Sequence, residues 1–204
     1  MIEVIRPGQY SSIQDLGRFG YRSMGVPISG SMDQSSAELA NQLLGNEANA
    51  ALVEMTYVGA TFLFQECATI AFAGARCEVK LNNEIIEDRS VLNIEVGTTL
   101  SFGAMKDGNF LYLAIIGGFK TEMVLGSACY YEAINGMSRM TKGMTLFFDE
   151  TLQKQEIKLN ETRSIRINQN QYIEVEKGPE FHLLTNEDLQ LLTETEFTIS
   201  PQSN

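Results

Sequence analysis

Residues 6–46 constrain this chain more than any other stretch. They read R-P-G-Q-Y-S-S-I-Q-D-L-G-R-F-G-Y, continue through G-V-P-I-S-G-S-M-D, and close in A-N-Q-L-L-G-N. The stretch is dense in glycine, and its polar residues Gln14, Asp15, Arg18, Ser29 and Asp33 follow neither a helical nor a strand period. A buried strand or an amphipathic helix is not written this way. Glycine tolerates positive φ and close backbone approach. The pattern therefore predicts a folded loop running to about Met32, with amides and a few charged groups aimed at one place. Such a loop either packs on a β framework as pure structure or forms a binding surface. Asp15 and Arg18, so close together in it, favour the surface.

The elements around the loop follow from local signals. Residues 2–5 read as a first strand. Asp33 has the position and chemistry of an N-cap, with a helix running to Leu44 and Gly45 as its stop. Ala37, Ala40, Leu43 and Leu44 recur at helical spacing and predict a core-facing side. Short strands are then expected at 51–55, 61–64 and 68–73. Two hairpins follow, one of 78–81 and 84–87 around Asn82-Asn83, the other of 98–102 and 110–116 around a turn at 106–108. Many short strands with one early helix suit a closed barrel that the helix plugs or caps. A polar run at 149–161 reads as a linker or exposed strand. Beyond it the expectations are strands at 164–167, 172–175 and 197–200, and a helix over 185–194 with Thr185 and Asp188 as a capping box. The division expected is residues 1–150 as one barrel domain and 151–204 as part of a second.

Composition excludes some functions. The 204 residues carry 15 Lys and Arg against 26 Asp and Glu, a net charge of −11. This balance argues against a nucleic-acid or anionic-membrane partner, both of which need clustered cations. Cys67, Cys77 and Cys129 are odd in number and widely spaced. They fit neither a disulfide framework nor a zinc site, and suggest reduced thiols in the cytoplasm. The single histidine, His182, cannot build a His-rich metal site, and a structural role is expected for it. No signal peptide and no run of 18 apolar residues is visible.

The motifs P-G-x-x-S-x-I-Q-D-x-G-R-x-G-Y, G-V-P-x-S-G-x-M-D and N-x-L-x-G-N resemble the C-type subunit of bacterial ATP-dependent 5-oxoprolinase. That family is also labelled biotin-dependent carboxyltransferase or allophanate hydrolase subunit 2. The likeness continues through E-M-T at 54–56, A-F-A-G-A at 71–75, Y-L-A-I-I-G-G at 112–118 and L-G-S at 125–127. It implies a mostly β, cyclophilin-like barrel plus the start of a second similar barrel, with the chain ending short of the family pattern at S-P-Q-S-N. It also implies ATP-coupled conversion of 5-oxo-L-proline to L-glutamate, in a complex with a B-type subunit and functionally with an A-type subunit. Two other roles are compatible with it. One is a carboxyltransferase that moves a carboxyl group from carboxybiotin to urea. The other is a non-catalytic regulatory module acting with the B-type subunit.

Candidate catalytic residues are Asp15, Arg18 and Glu54; candidate substrate-binding residues are Gln14, Ser29, Gly30, Asp33 and Asn41. Arg18 offers a planar fork suited to a carboxylate or phosphate. Asp15 either orients it or handles a proton, unless the two simply tie the loop to the barrel. Asp33 caps the helix, whose start is also a potential anion site. Asn41 and Glu54 match the family motif, and Glu54, ending an apolar strand, is expected to point inward. No metal set is apparent. An ATP site is not identifiable: the P-loop pattern is missing, and Gly117-Gly118-Phe119-Lys120-Thr121 lacks its spacing. Ala104-Met105-Lys106 has the shape of a biotin attachment turn in surroundings that do not match one, so no covalent biotin is expected.

Overall fold

The computed structural model describes residues 1–86, 91–154 and 175–196. The chain divides into two units, Met1–Arg163 and Ser164–Asn204. The first unit holds β1 (Ile2–Arg6), β2 (Tyr10–Gln14), α1 (Gln34–Leu43), β3 (Leu52–Thr56), β4 (Thr61–Phe64) and β5 (Ala68–Leu81). After these come β6 (Glu84–Ile86), β7 (Val91–Ile94), β8 (Thr99–Ile115), β9 (Phe119–Lys120), the short α2 (Glu132–Asn135) and β10 (Thr145–Phe148). Every pairing among the described residues is antiparallel, in the order β2-β3-β8-β4-β1-β10-β9, with β5 on β8 and carrying β6 and β7.

β8 makes this sheet curl. One edge of it pairs with β5 from Leu100 to Ile115. Its other edge takes β4 at Thr99–Ser101 and β3 at Phe110–Leu113. A single bent strand thus serves two neighbours in succession, and register shifts around Arg76 and Cys77 in β5 supply the bend. The result is the mostly β, nearly closed barrel expected from the resemblance.

Alternation along the strands sorts side chains between two layers. Val53, Met55, Leu111, Leu113 and Ile115 point into the barrel with Ile2, Val4, Phe62, Phe64 and Phe102. Leu52, Tyr112, Ala114 and Ile116 point out of it, against Ala37, Ala40, Leu43 and Leu44 of α1. The helix therefore lies on the outer face of β3, β8 and β5 rather than plugging the barrel mouth. Leu43 and Leu44 each contribute about 1.5–3 kcal/mol by leaving water. The Asp33 cap is present, its carboxylate accepting from Ser36 N–H at 3.1 Å, and Gly45 takes the left-handed conformation.

Several local expectations are corrected. The loop after β1 is interrupted by β2, whose Ser11, Ser12, Ile13 and Gln14 are all buried. Serine on both faces hides the period of two. The pair of strands expected at 68–73 and 78–81, and the pair at 98–102 and 110–116, are instead the single strands β5 and β8, 14 and 17 residues long. The expected turn at 106–108 is part of β8, and Lys106 is exposed there. The Asn82-Asn83 turn is real, with φ of 50° and 69° fitting a tight hairpin. β7, β9, β10 and α2 had no clear signal.

In the second unit the described elements are a turn of 3-10 helix at Phe181–Leu183 and α3 (Asn186–Glu194), which starts with the Thr185/Asp188 capping box. His182 is exposed, its Nδ1 2.9 Å from the Pro179 carbonyl. The strands expected at 164–167 and 197–200, and all but Val175 of that at 172–175, lie outside the described residues. Among the described residues no helix is long and apolar enough to cross a membrane.

Candidate functional site

β2 lies beside β3 with Ser12 opposite Glu54 and Gln14 opposite Leu52. β3 lies beside β8 with Glu54 opposite Tyr112. Ser12, Gln14, Glu54 and Tyr112 thus share the outer, α1-bearing face of the sheet. This corrects the inward placement expected for Glu54: it sits one residue out of phase with the barrel-lining Val53 and Met55.

The loop before α1 closes over this polar row. Glu54 Oε2 accepts from Met32 N–H at 2.8 Å and from the Tyr112 hydroxyl at 2.8 Å. Tyr112 Oη in turn accepts from Asp33 N–H at 2.7 Å. Glu54 Oε1 has no hydrogen-bond partner among the described residues, yet it is not sealed from solvent. Burial pushes the Glu54 carboxyl above its ordinary value, the two donors pull against this, and the nearby Asp33 charge adds to the rise. Tyr112 is raised chiefly by burial and then by the Glu54 charge, so it keeps its proton. Beside this row Gln14 Nε2 donates to Ser12 Oγ at 2.9 Å, leaving Gln14 Oε1 buried without a partner.

Ser29 and Gly30 act by shaping that loop. Their φ values are 56° and 94°. A Cβ on Gly30 would come within 2.9 Å of the Leu16 carbonyl carbon, and one on Gly17 within 2.7 Å of the Ile28 oxygen. The two arms of the loop run backbone against backbone, joined by Arg18 N–H to Ile28 O at 2.7 Å and Ser31 N–H to Asp15 O at 2.8 Å. Only glycine permits this approach, and it brings Met32 and Asp33 over Glu54.

Asp15 and Arg18 form a separate knot and are not an ion pair. Asp15 Oδ1 accepts from Gly17 N–H at 2.7 Å, from Ser127 Oγ–H at 2.8 Å and from the Cys129 thiol at 2.7 Å. Its Oδ2 accepts from Ala128 N–H at 2.7 Å. Arg18 is 1% exposed; it donates through Nε to Val124 O at 3.2 Å and through Nη2 to Cys129 O, while Nη1 is buried without a partner. Both side chains bind the 124–129 segment, so the link expected between them runs through a third piece of chain. The Cys129 thiol is pushed up to about 11, first by burial and then by its hydrogen bond to Asp15.

Asn41 lies near the far end of α1, roughly 12 Å from Asp33 by helical rise. It is fully buried, donating to Ala50 O at 2.9 Å and accepting from Asn46 Nδ2 at 3.0 Å; Asn46 reaches on to Ile115 O at 2.8 Å. These amides fasten the helix end to the sheet, apart from Glu54. Tyr112, Ser127 and Cys129 were not singled out from sequence. The available signal for Tyr112 was alternation: between the apolar Leu111 and Leu113, its side chain had to face the other layer. All three cysteines are free. Among the described residues no group of three or more His, Cys, Asp or Glu is placed to hold a metal.

A family model described as "Carboxyltransferase domain, subdomain A and B" matches residues 24–204. The urea amidolyase of Lachancea kluyveri is 40% identical over 126 residues, which are 61% of this chain and 7% of that protein. The C-type subunit of the Escherichia coli 5-oxoprolinase is 35% identical over 127 residues, 62% of this chain and 41% of that one. The chain thus spans less than half the length of either relative. Among solved structures, the K. lactis urea amidolyase aligns with a TM-score of 0.68 at 34% identity, covering 72% of this chain and 9% of that one.

Proposed function

The chain belongs to the carboxyltransferase domain family, subdomains A and B, and on that premise we propose that it serves as a C-type subunit of an ATP-dependent 5-oxoprolinase. Together with B-type and A-type subunits it would open 5-oxo-L-proline to L-glutamate. The observation that carries this reading is Glu54, a half-engaged carboxylate. Oε2 is held by Met32 N–H and Tyr112 Oη–H, and Oε1 is left free at a site that burial makes more basic. Opening a lactam requires water to lose a proton as its oxygen bonds to the carbonyl carbon. The C–N bond then breaks and the nitrogen gains a proton. Glu54 Oε1 can take the first proton and return it to the nitrogen, a general acid–base contribution of about 10²–10⁴-fold. The unpartnered Gln14 Oε1 lies on the same face but is buried, so no contact with substrate is assigned to it.

The described residues do not fit a nucleotide-phosphate loop. Gly117 and Gly118 form the turn that ends β8, and Lys120 Nζ is held by Asp149 at 3.0 Å. No nucleotide step is therefore assigned to this chain, and in this reading ATP is handled by a partner subunit. The test is glutamate release from 5-oxoproline and ATP by this chain with its A- and B-type partners, wild type against Glu54→Gln. Loss of turnover in a variant that still assembles supports the reading; undiminished turnover overturns the role of Glu54.

The 40% identity to a urea amidolyase favours a second reading, carboxyl transfer to urea. There the same carboxylate would take a proton from the urea nitrogen as that nitrogen bonds to the carboxyl carbon and the bond from that carbon to the biotin nitrogen breaks, and would return the proton to the released biotin nitrogen. Bicarbonate- and biotin-dependent carboxylation of urea, with no glutamate formed from 5-oxoproline, would select it.

A further inference from the structure

At the Tyr10 end of β2, some 13 Å along the strand from Gln14 by strand rise, lies a cleft of about 290 Å³ between residues 7–11 and 139–142. Its walls are fixed by backbone bonds. Met140 N–H donates to Ser11 O at 2.7 Å, and Gly143 N–H to Val4 O at 2.8 Å. Tyr10 Oη donates to Ser138 O at 2.8 Å. Gly8, with φ 73°, is pressed against Val58, where an added Cβ would sit 2.3 Å from the carbonyl oxygen, and Gln9 N–H donates to that same oxygen at 3.0 Å. Met140 is turned into the core, and its neighbours Arg139, Thr141 and Lys142 stay at the surface.

The charge of this cleft runs against that of the molecule. The chain carries a net charge of −11. The cleft is nonetheless lined by two cations, Arg139 and Lys142, and by no acidic residue. Among the described residues the ion pairs are those of the N-terminus with Glu150, Lys80 with Glu78 and Lys120 with Asp149, so no described acidic residue pairs with either cation of the cleft. Tyr10 lines the cleft with them, its hydroxyl proton already given to Ser138. A volume of this size is at the small end for ligand sites, and an arginine fork with a lysine is the donor set that oxyanions select.

We propose that this cleft binds a small oxyanion, a carboxylate- or phosphate-bearing molecule of a few heavy atoms, held by Arg139 and Lys142 against Tyr10. The site does not depend on Glu54 or on the oxoprolinase reading, and it stands if that reading fails.

The test titrates the 204-residue chain with inorganic phosphate and separately with malonate, at constant ionic strength, following backbone amide shifts. Saturable shifts confined to residues 8–11 and 138–142 are expected, with phosphate or malonate preference identifying the anion class. Affinity should fall about tenfold in Arg139→Gln and again in Lys142→Gln, since each removes a charge-assisted hydrogen bond. Both side chains lie at the surface, so the melting temperature of each variant, measured alongside, should match wild type. Shifts that never saturate, that chloride reproduces, or that persist unchanged in the double variant would overturn the proposal.

Discussion

The two buried carboxylates among the described residues, Asp15 in the glycine-rich loop and Glu54 on β3, differ in one respect that separates their uses. Asp15 is 2% exposed and both of its oxygens are engaged, by Gly17, Ser127, Ala128 and Cys129. Glu54 is 8% exposed, and both of its donors converge on one oxygen. A saturated carboxylate has its charge stabilised and its lone pairs occupied, which suits holding chain segments together. A half-engaged one is under-stabilised as an anion and keeps an oxygen free for a proton. Burial alone therefore does not mark a reactive group. The number and placement of its donors do.

The sharpest way to break this comparison is Asp15→Ala. It leaves the Gly17 and Ala128 amides and the Ser127 hydroxyl without acceptors inside the protein, and the expected loss is about 3–5 kcal/mol in denaturant unfolding. A variant as stable as wild type would remove Asp15 from its structural role. Next in size is Glu54→Gln, for which turnover in the assembled complex should drop by about 10²-fold or more. Its melting temperature should move by no more than about 4 °C. If unfolding changes more than turnover, the two carboxylates are alike after all. Tyr112→Phe takes away the hydroxyl that joins Asp33 N–H to Glu54, and about 1–2 kcal/mol of stability should go with it. Turnover should fall too, because Oε2 loses a positioning donor.

The smallest effect is a slope with pH. Below the ordinary Glu value of 4.5 the side chain is protonated in both folded and unfolded states, so its burial costs nothing extra there. As pH rises through the elevated folded value, the unfolded state ionises more readily and the native state loses stability. The melting temperature of wild type relative to Glu54→Gln should thus decline from acid to neutral pH. A difference that grows in favour of wild type over that range would mean that the Met32 and Tyr112 donors outweigh burial.

Local chemistry made the frame legible. Asp33 announced a cap, Gly45 a stop, Asn82-Asn83 a hairpin, and the spacing of Ala37 to Leu44 a buried helix face. The bent strands were not legible, because Gly74, Gly103 and Gly108 inside β5 and β8 look like punctuation between shorter strands. β2 escaped notice because Ser11 and Ser12 put small hydroxyls on both of its faces. At the site, Asp15 and Arg18 were visible as a close pair, but the partners that join them, in the 124–129 segment, are more than 100 residues away in sequence. No periodicity reports a contact of that range. Asn41 looked like a ligand-facing amide and instead ties the end of α1 to the sheet, which only the positions of Ala50 and Asn46 reveal.

Cys129 gives the Asp15 knot a built-in clock. Its sulfur is fully buried and its thiol is held well above neutrality, whereas Cys67 is exposed. An alkylating reagent should cap Cys67 at once and reach Cys129 only when the 124–129 segment lifts away from the loop. The lag between the two modifications, followed by mass, would time how often this glycine-built corner opens while the barrel beneath it stays folded.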